Sequence, residues 1–96
     1  MNIEKKLWPE NFEKIESGEK DFELRLADFE ISEGDNLILK EFNPKTKEYT
    51  GRIMTKLVKC IFKYDAEDID INDDFGLYEN YTSEQLNKYG YYWIGI

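Results

Sequence analysis

The sequence predicts a small, mostly β domain of the α+β class, a barrel or sandwich of five or six short strands with one or two short helices. Three observations lead there. The chain has 96 residues, enough for one domain with a single core. Apolar and polar residues alternate with period two in Asn36–Phe42 and again in Arg52–Tyr64. Glycine and proline turn signals cut the remainder into short runs.

Taken in order, Ile3 to Leu7 forms a first strand. Trp8-Pro9 breaks it, and Pro9 suits the first turn of a helix because its fixed φ is helical and its missing N–H costs nothing there. Glu10 and Glu13 place negative charge near that helix N-terminus. Trp8, Phe12 and Ile15 make its apolar stripe, and Gly18 terminates it, so the helix runs from about Pro9 to Ser17. Asp21 to Leu26 is the second strand. Phe22 and Leu24 face a core, with Glu23 and Arg25 together on the other face.

Glu33-Gly34-Asp35 reads as a turn before the strand Asn36–Phe42, with Leu37 and Leu39 on its apolar face. The segment from Asn43 to Lys47 is a polar hairpin tip. The return run Arg52–Tyr64 is long and alternating. It groups Met54, Val58, Cys60 and Phe62 against Ile53, Leu57 and Ile61, and its length predicts a bend. An acidic insertion occupies about 65–80 and is expected to be a loop. Thr82 or Ser83 caps a short helix to about Tyr89, with Glu84 and Gln85 at capping-box distance. Gly90 ends that helix and Tyr91–Ile96 is a last strand. Trp8, Phe12, Phe22, Phe42, Phe62 and Trp93 fall mostly on apolar faces and are core candidates.

Composition removes several kinds of chemistry. With one cysteine, Cys60, and no histidine, there is no intramolecular disulfide, no common zinc site and no histidine base. Cys60 lies in a strand and is expected to be a buried, inert thiol. Asp68, Asp70, Asp73 and Asp74 lack the glycine and terminal glutamate of a calcium loop, so no metal is assigned. No cofactor is implied. No apolar run approaches the roughly 20 residues that span a bilayer, and the N-terminus lacks a signal peptide's apolar core. The chain is therefore expected in the cytoplasm.

The net charge of -8 opposes nucleic acid, but it is unevenly spread. Met1 to Lys63 carries 12 basic against 13 acidic residues, whereas Tyr64 to Ile96 carries one against eight. The first two thirds can therefore present a local basic face.

The stretch from Gly18 to Arg25 reads Gly-Glu-Lys-Asp-Phe-Glu-Leu-Arg. Its Gly-x-Lys-x-x-Glu-x-Arg pattern resembles the signature of ASCH domains, members of the PUA-like superfold. Flanking segments extend the likeness in order: Leu7-Trp8-Pro9-Glu10, Gly34 to Leu39, Glu41-Phe42-Asn43-Pro44, Tyr49-Thr50-Gly51-Arg52 and Tyr92 to Ile96. Together they resemble a subfamily of short bacterial and phage proteins, DUF3850, a domain of unknown function described as ASCH-like and RNA-binding. The resemblance covers nearly the whole chain except the acidic insertion. It implies a β-barrel of five or six strands and a cleft beside the first helix, with Lys20, Glu23 and Arg25 as cleft residues. Related members often continue with further basic residues, whereas this chain continues with Leu26-Ala27-Asp28.

Three functions are open at this point. In the first, the cleft binds single-stranded RNA or a nucleotide-like small molecule. Lys20 and Arg25 would meet phosphate or base edges, Glu23 would accept from an exocyclic amine, and Trp8 or Tyr49 would stack on a base. The plain alternative is an ion pair of Glu23 with Arg25 on a solvated face, worth about 0–1 kcal/mol. The second function is catalytic. Some ASCH-like proteins are amidohydrolases acting on an acylated cytidine, with a lysine where Lys20 stands and a threonine three residues later. This chain has Glu23 there, and the acids Glu19, Asp21 and Glu23 oppose loss of a lysine proton, so binding is favoured over catalysis. The third is a protein-interaction module using the acidic segment with Phe75, Tyr78 and Tyr81. A solvated loop covering one end of the barrel is preferred there.

Overall fold

The computed structural model describes residues 1–65, 67 and 81–96. Among these residues, six strands form two three-stranded sheets, accompanied by two short helices: β1 (Asn2–Leu7), α1 (Pro9–Glu16), β2 (Phe22–Leu26), β3 (Asn36–Asn43), β4 (Glu48–Leu57), β5 (Cys60–Tyr64), α2 (Ser83–Tyr89) and β6 (Tyr91–Gly95). The first sheet has the order β1-β3-β4 and the second β2-β6-β5. β1 and β3 are parallel, while every other pairing is antiparallel. Among the described residues, no ladder joins the two sheets into a closed barrel. Apart from Asp65 and Glu67, the acidic insertion, with Asp68, Asp70, Asp73 and Asp74 and with Phe75 and Tyr78, lies outside the described residues.

The main core draws on both sheets and on α1. Leu7, Phe12, Ile15, Leu37, Leu39, Val58, Ile94 and Ile96 pack into one buried cluster. A smaller core lies on the other face of the second sheet, where Leu26 packs with Leu86 of α2, flanked by Leu24, Tyr81 and Tyr91. Phe22 stacks on Trp93 along the same face, with ring centroids 5.5 Å apart. Phe22, Leu24 and Leu26 thus do face a core, the smaller one. The Glu23 and Arg25 face is the one turned toward the main core, since Glu23 pairs with the fully buried Ile94.

The helix boundaries follow local chemistry. Pro9 opens α1, and Gly18, at φ +82°, turns the chain after it. Thr82 and Gln85 form a reciprocal capping box on α2. The hairpin tip is an Asx turn, in which the N–H groups of Lys45 and Thr46 donate to Asn43 Oδ1.

Three expectations need correction. Of the aromatic core candidates only Phe12 is fully buried; Trp8 is 41% exposed and Phe62 52%. The long run Arg52–Tyr64 is also two strands, not one. The chain passes from the first sheet to the second at Val58-Lys59, where both N–H groups leave the ladder, Val58 donating to Asp35 and Lys59 to Gly95. Those two corner residues shift the alternation by one. Met54 and Val58 belong to the main core on one side of the corner and Ile61 on the other, so Cys60 and Phe62 face away from it. Cys60 is accordingly half-buried, a free thiol on the Phe62 face rather than in the core.

Candidate functional site

The cleft begins where α1 meets β2. After Gly18 the chain folds back, and Lys20 N–H donates to the Lys14 carbonyl at 2.9 Å. This lays Lys20 along α1, its ammonium 3.4 Å from Asn11 Oδ1. Three residues on, Glu23 presents its carboxylate to the same point. Lys20 Nζ is 3.7 Å from Glu23 Oε1 and Arg25 Nη2 donates to Glu23 Oε2 at 3.1 Å. Glu23 also accepts the Leu24 N–H at 3.2 Å. Arg25 reaches across to the first sheet, where it donates to the carbonyl of Lys6, while its buried Nε has no partner among the described residues.

Spacing placed Glu23 and Arg25 on one strand face, the family resemblance added Lys20, and the three do converge. They are not a solvated face, however. Glu23 is only 4% exposed and the side chains of Lys20 and Arg25 are 19% exposed. A buried carboxylate needs paired charge, and here it has two cations, which leaves one unit of positive charge in excess.

Beside this triad opens a cleft of about 310 Å³, lined by Glu23 and Arg25 together with Lys6, Leu7, Trp8, Asn11, Leu24 and Tyr81. Lys20 is not part of its lining and reaches it only through its ion pair with Glu23. The volume falls at the lower end of the range for small-ligand sites, roughly 300–1,000 Å³. Trp8 is brought there by its position as the residue capping α1, and it leans on Phe42 with centroids 5.6 Å apart. Tyr49 does not line this cleft. It lies beyond Phe42, 5.2 Å from that ring, at the mouth of an adjoining cleft. Asn11, Lys6 and Tyr81 are cleft residues that pattern reading missed, because neither period nor motif distinguishes them from surface polar residues.

A second buried carboxylate, also missed, braces the cleft wall. Glu41 lies on β3 on the face of Leu37 and Leu39 and is 5% exposed. Opposite it the β3–β4 register shifts, so that Thr50, Gly51 and Arg52 face this one residue. Gly51, at φ +97°, makes that bulge. Thr50 Oγ1 donates to Glu41 Oε1 at 2.6 Å, and Arg52 donates through Nε at 3.1 Å and Nη2 at 2.7 Å. The Arg52 hydrogen bonds foremost, and then that of Thr50, hold the Glu41 carboxyl below the usual glutamate range. Arg52 also pairs with Glu13 and covers the Phe12 ring, 4.6 Å from its centroid. β4 is thereby tied to α1, the helix that carries Asn11.

Among the described residues, no group of three or more carboxylates or thiols is placed to hold a metal ion, and no helix is long and apolar enough to cross a membrane.

Comparison with known proteins agrees with this architecture. The model of a family described as a domain of unknown function (DUF3850) matches residues 4–85. The solved crystal structure of the hypothetical protein PH0355 is similar over 99% of this chain and 96% of that one, with a TM-score of 0.74 and 27% identity. No curated protein matches. With the match covering most of β1, all of α1 and β2 to β5, and the triad, the chain belongs to the DUF3850 family.

Proposed function

We propose that this domain is an ASCH-like member of the PUA-like superfold, and that it binds a nucleotide or single-stranded RNA between Lys20, Glu23, Arg25 and Trp8. The two sheets, joined through the β4–β5 corner, are read as the two halves of a PUA-like barrel. One observation carries the binding reading: a nearly buried Glu23 set between two cations, at the base of an open cleft with an exposed tryptophan on its rim. The carboxylate holds both cations in place and accepts from an exocyclic amine. The surplus positive charge attracts phosphate, and the indole supplies a stacking surface. Tyr49 extends that surface at a second position.

Binding is favoured over amide hydrolysis because the Lys20 ammonium is engaged by Glu23 and Asn11, where an amidohydrolase of this type would have a threonine. The test is titration of short RNAs and mononucleotides into the protein at several salt concentrations. Affinity should fall with salt, and Lys20→Ala and Arg25→Ala should each weaken it about tenfold or more. Absence of binding at low salt, or equal binding by both variants, would overturn the proposal.

A further inference from the structure

The parallel register of β1 on β3 sets Lys6 directly beside Lys40. Like charges in that relation destabilise a sheet. Glu4 relieves one of them, 2.9 Å from Lys40 Nζ, and this hydrogen bond and the carboxylate's charge raise the Lys40 pKa. Lys6 has no carboxylate partner among the described residues, and its ammonium lies 4.4 Å from the Phe42 ring centroid and 5.9 Å from that of Tyr49. Lys5 also lines the cleft beside this pair, but its ammonium is held over the Phe29 ring, 3.7 Å from the centroid.

Lys6, Lys40, Glu4 and Tyr49 line a second cleft of about 410 Å³. It adjoins the first, and both are bounded by Lys6 and Arg25. Tyr49 at its mouth is 54% exposed. A half-neutralised lysine pair beside an exposed aromatic ring is the pairing that a nucleic-acid strand uses, one group for phosphate and one for the next base. An unstacked base needs a free ring face, which selects single strands over duplex.

We propose that this second cleft takes the adjoining phosphate and base of a strand whose first nucleotide lies at Lys20, Glu23 and Arg25, so that the ligand is a single-stranded oligonucleotide of two or more residues and not a mononucleotide. The inference rests on the binding function proposed above. Lys6 and Lys40 hold the bridging phosphate, Tyr49 stacks the second base, and Glu4 competes with the phosphate for Lys40.

The experiment is calorimetric titration of the intact protein with AMP, the 5′-phosphorylated dinucleotide pApA and hexa-adenylate, over a range of salt. Affinity should rise by roughly tenfold from AMP to pApA, the gain from one charge-assisted contact to the bridging phosphate. Lys40→Gln should weaken hexa-adenylate about fivefold more than AMP and reduce the magnitude of its log-log salt slope by about 0.7. Glu4→Gln, at an exposed position, should tighten hexa-adenylate. Equal affinities for AMP and the longer ligands, or Lys40→Gln and Glu4→Gln failing to move in opposite directions, would overturn the second site and leave the first standing. If neither AMP nor hexa-adenylate binds the unmodified protein, the first site falls, and the second with it.

Discussion

Replacing Glu23 by Gln tests whether the buried triad is held by charge. The substitution keeps shape and one carbonyl acceptor, but it turns a second acceptor into an NH2 donor facing Lys20 or Arg25. The two cations, 3.7 Å and 3.1 Å from that carboxylate, lose their common counter-charge. Arg25 has little in reserve, since among the described residues its Nε lacks a partner and the Lys6 carbonyl is its one other acceptor. Breaking a buried ion pair costs about 3–5 kcal/mol. Both cations keep 19% exposure, which lowers the expected loss to roughly 3 kcal/mol after solvent screening. At roughly 4–8 °C per kcal/mol for a domain of this size, the melting temperature should fall by about 12–24 °C. Urea denaturation followed by circular dichroism measures the free energy directly. Millimolar sulfate should then stabilise Glu23→Gln more than the unmodified protein, because the anion replaces the lost carboxylate. A loss under about 1 kcal/mol, with sulfate acting equally on both proteins, would refute the electrostatic account of this site.

Other expectations follow from the same geometry. Gly90 has φ +72° and a Cβ there would lie 2.3 Å from the Tyr64 carbonyl oxygen, so Gly90→Ala should cost about 2 kcal/mol or more; Gly34, at φ +89° in open space, should lose only about 1 kcal/mol in the same denaturation assay. A Cβ on Gly95 would meet Cys60 Sγ at 2.5 Å, so Gly95→Ala should destabilise and Cys60→Ala should recover part of the loss, a non-additivity read from a double-mutant cycle. The folded-state carboxyl of Glu41 is held below its ordinary value of 4.5. Its contribution is therefore present above that value and lost as pH falls through the folded-state pKa. The stability gap between the unmodified protein and Glu41→Gln should be widest near neutrality and shrink in acid, measured by urea unfolding across pH; a gap independent of pH would count against the Arg52 and Thr50 bonds.

Much of this fold is legible in local chemistry. Pro9 and Gly18 bound α1, Thr82 with Gln85 caps α2, and the alternation of Leu37 and Leu39 marks the inward face of β3. These signals act over a few residues and need no tertiary partner. Glu23 and Arg25 were found together because a spacing of two carries them to one strand face, whereas Lys20 was named by the motif alone and joins them through the turn after Gly18. What pattern reading misses depends on partners distant in sequence. Glu41 is buried only because a bulge nine to eleven residues away turns Thr50 and Arg52 onto it, and nothing in β3 announces that. Phe62 looks like a core residue until the Val58-Lys59 corner changes which face it takes. Asn11 and Tyr81 enter the cleft through the packing of helix against sheet, with no motif of their own.

The corner between β4 and β5 also bears on how this chain tolerates insertions and deletions. Side chains on a strand alternate with period two, so what the corner transmits to β5 is whether its length is odd or even. Adding one residue between Val58 and Cys60 would carry Ile61 outward and Phe62 inward along all of β5, opposite a β6 whose own facing is set by Ile94. Adding two would lengthen the corner and restore the facing. Length variation at this point should therefore come in pairs, whereas the hairpin tip at residues 44–47 has no such restriction on the strand that follows the corner.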